Sequence, residues 1–439
     1  MALSGIQIYK LLPQTNCKEC GFPTCLAFAM KLAAKQVELS SCPYVSESSK
    51  AQLAESSAPP IRLVTLKSDG FEVKAGNEVV LFRHEKKFFY KPGVFVSVSD
   101  VEAPAEIQAK ITLADAYRVN YVGMDLTLDG FAVKAENGSA EAFAGSVKAA
   151  RSASRRPLIL LGKDPAVLKA GLEALPGETV MLCAADASNW EAMADLAKAH
   201  GSVLAVSAGS LEELADLTEK VKGKGLEDLV LAPTAATLGA ELALGTQIRR
   251  LALKKNFRPL GFPVIAFPKS VAAAAQAVTK YAGFVVLDSF VPELVYPLLV
   301  LRENIYTDPQ KPIQVQPGVY EINNPKPESP VLVTTNFSIT YFSVANEVEG
   351  AGLPAWLVVT DAEGMSVLTA WAAGKFDAER IAKTIKELKV ANKVLQKRLV
   401  LPGHVAVLSG ELEAELPDWE IRVGPREAVD LPKYMNQAL

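Results

Sequence analysis

PLILLGKDPAVLKAGLEALPGETVMLCAAD, residues 157–186, carries the pattern that decides the fold. A short apolar run (PLILLG, 157–162) leads into a helical pattern (DPAVLKAGLEAL), and a second apolar run (TVMLCAAD, 179–186) follows at once. The same unit recurs along the chain. Its other strands are GVFVSVSD (93–100), YVGMDL (121–126), SVLAVSA (202–208), LVLAPT (229–234), FPVIAF (262–267) and FVVLDS (284–289). Helical patterns such as AEIQAKITLADAYRV, NWEAMADLAKAHG, SLEELADLTEKVK and SVAAAAQAVTKYAG lie between them. Eight short apolar strands, each followed by a helix, predict a parallel (β/α)8 barrel of the TIM type. An open doubly wound sheet is the alternative, because the count rests on the first two strands. Ahead of the series, IRLVTLK and FEVKAGNEVVLF alternate like two strands joined at Asp69–Gly70.

Working outward, the barrel pattern gives way at both ends. Residues 1–58 hold two short helical patterns, GIQIYKLLPQ and CLAFAMKLAAKQ, and then the Ser/Ala-rich SESSKAQLAESSAPP closed by Pro59–Pro60, which reads as a linker. Residues 59–309 form the barrel region. A second linker reading falls on QKPIQVQPGVYEINNPKPESP, and residues 310–439 then hold a shorter βα series. Its strands end in loops of Thr, Asn, Gly and Ser, so an open α/β domain of Rossmann or flavodoxin type is expected, with ligands bound at those loops.

With 439 residues, 49% hydrophobic and 22% charged, the chain has the composition of a globular protein of two or three domains. A net charge of −3 and no basic run give no reason to expect nucleic acid. No apolar stretch approaches the length of a membrane span, and MALSGIQIYKLLPQTNC lacks the features of a secretory signal. Five cysteines in so long a chain are no disulfide scaffold, and the expected compartment is the cytoplasm.

Four of those cysteines crowd together as C-x2-C-x4-C-x16-C: Cys17, Cys20, Cys25 and Cys42. Four thiolates at such spacings can surround one metal centre. Gly21 and Pro23 let the chain wrap tightly, and Leu12, Phe22, Phe28 and Tyr44 are placed to exclude water. Zinc is one reading, although its usual second C-x2–4-C knuckle is missing. A [4Fe–4S] cluster is the other, favoured by the Cys42–Pro43 ending that bacterial ferredoxins share. Cys183 sits in an apolar strand and reads as a small core residue.

The residues NCKECGFPTCLAFAMKLA with Cys42–Pro43, TTNFSITYFSVANEVE, DAEGMSVLTAWAAGKF and LPGHVAVLSGELEAELPDWEIRVGPREA resemble the large subunits of corrinoid iron–sulfur proteins of the anaerobic acetyl-CoA pathway. The resemblance spans all three regions. It implies a small N-terminal cluster domain, a barrel that pairs with a small subunit, and a C-terminal domain that holds a cobamide. It implies a methyl carrier. The cobamide accepts a methyl from a methyltetrahydrofolate or pterin methyltransferase and passes it to acetyl-CoA synthase/CO dehydrogenase. The [4Fe–4S] cluster, fed by an electron donor or reductive activator, rescues cob(II)amide.

The same resemblance implies corrinoid contacts from Thr335, Asn336 and Thr340, and from Gly364, Met365, Ser366, Val367, Leu368 and Thr369. It extends them to Gly403, His404, Val405, Ala406, Leu408, Ser409 and Gly410, and to Gly424, Pro425, Arg426, Glu427 and Ala428, with Arg426 near phosphate. For each of these, a loop Thr, Ser or Asn that merely caps a helix is the plainer reading.

One absence bears on the metal. The Asp-x-His-x-x-Gly loop that supplies a lower cobalt ligand elsewhere has no counterpart, for the first loop is TTNFSIT and His404 sits in a different context. His84, His200 and His404 offer no familiar axial ligand, so base-off, His-off binding is expected. Asp100, Asp125, Asp186 and Asp288 fall near barrel strand ends, where capping the next helix is the commoner task. The barrel is therefore expected to be a scaffold and subunit interface. Two other functions compete: a self-sufficient corrinoid methyltransferase with its methyl donor in the barrel, and a flavin redox protein, disfavoured because no G-x-G-x-x-G occurs.

Overall fold

The computed structural model describes residues 5–33, 36–46, 48–50, 53, 59–121, 123–307 and 313–438. Most of the first linker, at 47, 51–52 and 54–58, and the start of the second, at 308–312, lie outside the described residues. The chain divides into two compact units, one of Met1–Tyr117 with Thr127–Tyr306 and one of Arg118–Leu126 with Thr307–Leu439.

In the first unit, strands β1 (Val64–Ser68) and β2 (Phe71–Ala75) form the expected antiparallel hairpin, turning at Gly70 with φ of +77°. The chain continues into β3 (Gly93–Ser99). It then leaves this unit for a second hairpin, β4 (Val119–Tyr121) and β5 (Met124–Leu126), which belongs to the second unit, and returns as β6 (Gly130–Lys134). Next come β7 (Leu158–Leu161), β8 (Met181–Ala185), β9 (Val203–Ala208), β10 (Leu229–Pro233), β11 (Val264–Ala266) and β12 (Ala282–Leu287). Strand β3, strands β6–β10, β11 and β12 close into an eight-stranded parallel barrel.

The expected strand at 121–126 is corrected. YVGMDL folds back on itself within the β4–β5 hairpin, because Gly123 takes φ of +83°, and Asn120 and Asp125 are exposed. The second barrel strand is GFAVK at 130–134, buried through its first four residues.

Phe95, Ile159, Met181, Val203, Val230, Ile265 and Phe284 fill the barrel, and Val64, Leu66, Val73 and Ala75 of the first hairpin join the same cluster. Full burial of each such side chain stabilises by roughly 1.5–3 kcal/mol. Two glycines make this packing possible. A Cβ on Gly130 would stand 2.3 Å from the Phe95 ring, and one on Gly93 would stand 2.7 Å from Val73. Outside, Ser139, Ser210, Thr237 and Ser270 each accept an N–H three residues ahead, capping the helices that follow. Arg249 meets Glu78 at 2.9 Å, both nearly buried, with the guanidinium over the rings of Phe88 and Tyr281 at 5.2 and 4.9 Å.

The second unit is an open five-stranded sheet. β13 (Gly318–Ile322) is an antiparallel edge against β15 (Ala355–Thr360). β14 (Val331–Thr335), β15, β16 (Arg398–Leu401) and β17 (Glu420–Val423) run parallel in the spatial order β13-β15-β14-β16-β17. From β14 the chain steps outward to β15, then returns across β14 to β16 and continues away. The order therefore reverses between β14 and β16.

Val333, Val358, Leu399, Phe376, Ile381 and Ile385 pack one face of the sheet; Leu332, Leu357, Val359, Val348, Val400 and Met435 pack the other. The second linker reading is also corrected. Residues 318–322 are a strand, and Val315 is buried with its N–H on the carbonyl of Asn336 at 2.8 Å. The prolines that suggested a linker flank an edge strand, where a missing N–H costs little.

Candidate functional site

The cysteine lobe is built on two helices, Gly5–Leu11 and Cys25–Ala33, packed so closely that a Cβ on Gly5 would meet the Met30 sulfur at 2.2 Å. Cys25 and Cys42 are buried in a small apolar cluster with Ile8, Leu12, Phe28 and Val45; Cys20 and Phe22 are half-buried against it, and Cys17 is exposed. Asn16 Oδ1 accepts the N–H of Cys25 at 2.8 Å, tying the first knuckle to the helix start. Tyr44, two residues past Cys42, donates to Glu19 at 2.8 Å. That bond raises the Tyr44 pKa above its ordinary value, as do, more weakly, the nearby Cys17 and Cys42.

The connecting loop takes left-handed backbone at Gln14, Asn16, Lys18 and Gly21, with φ of 57°, 49°, 67° and 81°. Alternation of this kind gathers amide N–H groups into a concavity suited to anions and iron–sulfur clusters. Among the described residues, no three His, Cys, Asp or Glu side chains converge tightly enough to hold a single metal ion.

The second site is a cleft of about 310 Å³ at the carboxyl ends of β14, β16 and β17, where the strand order reverses. Leu332, Val333, Thr334, Val400 and Leu401 form its base; Ile339, Thr340, Ser343 and Val344 of the helix Ser338–Gly350 form one wall. Ser366, Val367 and Leu368 contribute another side, and Pro402, His404 and Gly424–Ala428 close it. The last two loops are knitted together. Gly403 donates to Pro425 O at 3.0 Å and Gly424 to Leu401 O at 2.8 Å. His404 Nε2 stands 3.7 Å from Glu427 Oε1. Ile339 (65% exposed) and Leu368 (45%) leave a large apolar surface on the cleft lining.

Of the expected contact residues, Thr340, Ser366, Val367, Leu368, His404 and Gly424–Ala428 line this cleft. Several of the expected residues also make contacts within the protein. Asn336 is buried, accepting N–H groups of Ala362 and Gly364 at 2.9 and 3.0 Å and donating to Asp361 at 3.1 Å, so its amide is occupied in shaping the loop. Ser366 and Thr369 hydroxyls bond each other at 3.0 Å. Val405 and Leu408 are core residues. Thr335 is wholly buried, and its hydroxyl has no hydrogen-bond partner. Thr335, Gly364, Met365, Gly403, Ala406, Ser409 and Gly410 are not among the residues that line the cleft.

A family model described as "CO dehydrogenase/acetyl-CoA synthase delta subunit" matches residues 63–435, and one described as "Putative Fe-S cluster" matches residues 12–44. The corrinoid/iron–sulfur protein large subunit of Moorella thermoacetica is 44% identical over the full length of both chains. The chain belongs to that large-subunit family. Gamma subunits of acetyl-CoA decarbonylase/synthase complexes match as well. Those of Methanopyrus kandleri and Archaeoglobus fulgidus are each 34% identical over 99% of this chain and 98% of their own. A dihydropteroate synthase of Yersinia pestis superposes 98% of its chain on 55% of this one, at 13% identity and a TM-score of 0.38. That likeness is too loose to inform the barrel's role.

In this corrinoid/iron–sulfur family member, the barrel's strand-end carboxylates are held by neighbours. Asp100 caps the N–H groups of Glu136 and Asn137 at 2.7 and 2.8 Å. Asp288 takes Lys134 at 2.8 Å and Lys269 at 3.1 Å, and these bonds, Lys134 first, lower its pKa. Asp186 is lowered to about 2, chiefly by the Ser188 hydroxyl and N–H and then by Lys163. Asp125 lies in the β4–β5 hairpin, beside Asn120 at 3.3 Å. Burial raises the Cys183 thiol to about 12, consistent with a core residue.

Sequence reading missed Thr334, Ile339, Ser343 and Val344 of the cleft. The signal available was TTNFSIT continuing into a helix with Ile339 on its outer face, which an apolar helix pattern alone does not separate from core.

Proposed function

We propose that this chain is a methyl carrier, with a cobamide in the C-terminal cleft and a [4Fe–4S] cluster on Cys17, Cys20, Cys25 and Cys42. The observation that carries this reading is the coexistence, in one chain of the corrinoid/iron–sulfur family, of a four-cysteine lobe and a cleft at the point where the strand order reverses. When bound, the cobamide supplies a cobalt that takes and releases a methyl group, and the cluster supplies the electron that returns oxidised cobalt to service.

The chain's own residues suit both groups. Four thiolates and a loop with repeated left-handed backbone fit an anionic cluster. Phe22, Phe28 and Leu12 shield it from water. In the cleft, the apolar faces of Ile339 and Leu368 and the base formed by Leu332, Val400 and Leu401 would hold the apolar parts of the cobamide, and exposed Arg426 would neutralise its phosphate. His404 sits in the loop knitted to Gly424–Ala428 and faces Glu427, which supports a base-off and histidine-off mode. Residues 1–58 are then the cluster domain, the rest of the first unit up to Tyr306 the barrel scaffold, and Arg118–Leu126 with Thr307–Leu439 the corrinoid domain. The Moorella relative's designation as a large subunit implies a small-subunit partner here too. A methyltransferase, acetyl-CoA synthase and an electron donor or activator are the remaining partners.

Metal analysis with EPR on protein purified without oxygen tests this. About four irons and one cobalt are expected, with a base-off signal that His404→Ala leaves unchanged. Iron without cobalt, in protein expressed with ample cobamide, overturns the carrier reading; zinc after anaerobic reconstitution overturns the cluster. Turnover of a methyl donor by this chain alone would favour the self-sufficient methyltransferase instead.

A further inference from the structure

Two charged residues, Lys18 and Glu19, stand between Cys17 and Cys20, and the lobe treats them differently. Lys18 is exposed and makes no hydrogen bond or ion pair among the described residues. Glu19 is exposed as well, but its carboxylate is held. The Tyr44 hydroxyl donates to Glu19 Oε1 at 2.8 Å across a sequence separation of 25 residues.

That bond joins the two pieces of chain that carry the cysteines. Cys17, Cys20 and Cys25 belong to the loop that runs into the helix Cys25–Ala33, and Cys42 follows the 3-10 turn Leu39–Ser41. Each piece has its own anchor. Asn16 Oδ1 accepts the N–H of Cys25 at 2.8 Å, and the N–H of Cys42 donates to Leu39 O at 3.1 Å. Tyr44 lies near enough to Cys17 and Cys42 for their charges to act on its hydroxyl. The carboxylate bonded to that hydroxyl is therefore kept beside the cysteines, on the side where Cys17 is exposed. A pinned charge acts on its neighbour at a fixed distance, whereas a free lysine spreads its charge over many positions in water and salt.

We propose, resting on the cluster reading above, that Glu19, positioned by Tyr44, lowers the reduction potential of the [4Fe–4S] cluster. A cluster on four thiolates becomes more negative when it takes up an electron, and a carboxylate held beside it opposes that uptake. One electron enters from the low-potential donor and one leaves to cob(II)amide, which becomes cob(I)amide. Cob(I)amide is itself a strong reductant, so a cluster that gives up its electron readily suits the transfer.

The test uses the full chain, purified without oxygen with its cluster in place, as wild type, Glu19→Gln, Tyr44→Phe and Lys18→Gln. Each is poised at a series of applied potentials, and the reduced cluster is counted by low-temperature EPR against iron content. At the potential that half-reduces the wild type, Glu19→Gln is expected to show a reduced-to-oxidised ratio about tenfold higher. Tyr44→Phe keeps the charge but frees it, and moves the ratio the same way by a smaller factor. Lys18→Gln stays near the wild-type ratio. An unchanged or lower ratio in Glu19→Gln, no rise in Tyr44→Phe, or a shift in Lys18→Gln as large as that of Glu19→Gln overturns the tuning while leaving the cluster reading intact. If Glu19→Gln loses its iron, the sign of the shift in Tyr44→Phe decides. A wild type that takes up zinc but no iron on anaerobic reconstitution overturns the cluster reading and this inference together.

Discussion

The side-chain oxygen of Asn336 accepts the backbone N–H of Gly364 at 3.0 Å across a sequence separation of 28 residues. With Ala362 N on the same oxygen and Asp361 on the amide nitrogen, this single side chain fixes the 361–364 loop to the end of β14. Gly364 takes φ of +74° there, a conformation the bond helps hold.

Asn336→Ala is therefore expected to leave two buried N–H groups unpaired. The loss is about 1–3 kcal/mol, read as a lower urea midpoint. Corrinoid affinity should fall in parallel, because Ser366–Leu368 follow directly on the released loop.

Gly403→Ala probes the joint between the last two loops. The added Cβ would stand 2.6 Å from Gly424 O and 2.9 Å from Arg426 N, both backbone atoms. Overpacking of this kind costs about 1–3 kcal/mol. Corrinoid titration should show weakened binding, whereas iron content stays at the wild-type level.

The five cysteines should separate cleanly by iron assay. Cys25→Ser or Cys42→Ser is expected to lose most of the iron and the cluster's visible absorbance. Cys183→Ala keeps both, and lowers only the unfolding temperature, since its thiol is a neutral group inside the barrel.

Asp186 sets an acid limit. Its folded pKa of about 2 lies below the ordinary 3.8, so its contribution is fully present above about pH 4 and disappears as the pH falls towards 2. Unfolding curves for wild type and Asp186→Asn should differ near neutrality and converge at about pH 2.

Arg249→Met tests the buried pair beneath the barrel. Glu78 would be left without its cation, which costs about 3–5 kcal/mol. Pairing the change with Glu78→Gln should recover part of that loss in equilibrium denaturation.

Much of this architecture is legible in the residues alone. The barrel announces itself because buried parallel strands are continuous apolar runs and several of the helices between them, such as Leu211–Gly223 and Trp190–His200, are amphipathic. The four-cysteine lobe is legible because Cys17, Cys20, Cys25 and Cys42 crowd into one short stretch of an otherwise cysteine-poor chain. What escapes the sequence is tertiary. YVGMDL has the composition of a barrel strand, and only the backbone at Gly123 reveals the turn. GVYEI hides among prolines that suit an edge strand as well as a linker. Asn336 looks like a ligand contact, yet its partners at 361–364 lie on another strand's loop. Thr334 is indistinguishable from Thr335 by sequence, although only Thr334 lines the cleft.

The β4–β5 hairpin gives the chain an unusual property for anyone dividing the gene. Because Arg118–Leu126 belongs with Thr307–Leu439, the polypeptide changes units after residues 117, 126 and 306. A fragment beginning at Thr307 would omit a piece of its own body, including Gly123, whose site for a Cβ lies 2.6 Å from the Tyr320 hydroxyl. The complementary fragment would carry that piece as a loose loop. Independent production of the two halves therefore calls for circular permutation or for co-expression of overlapping pieces rather than a single cut, and recombination between relatives should preserve residues 118–126 and 307–439 as one inherited block.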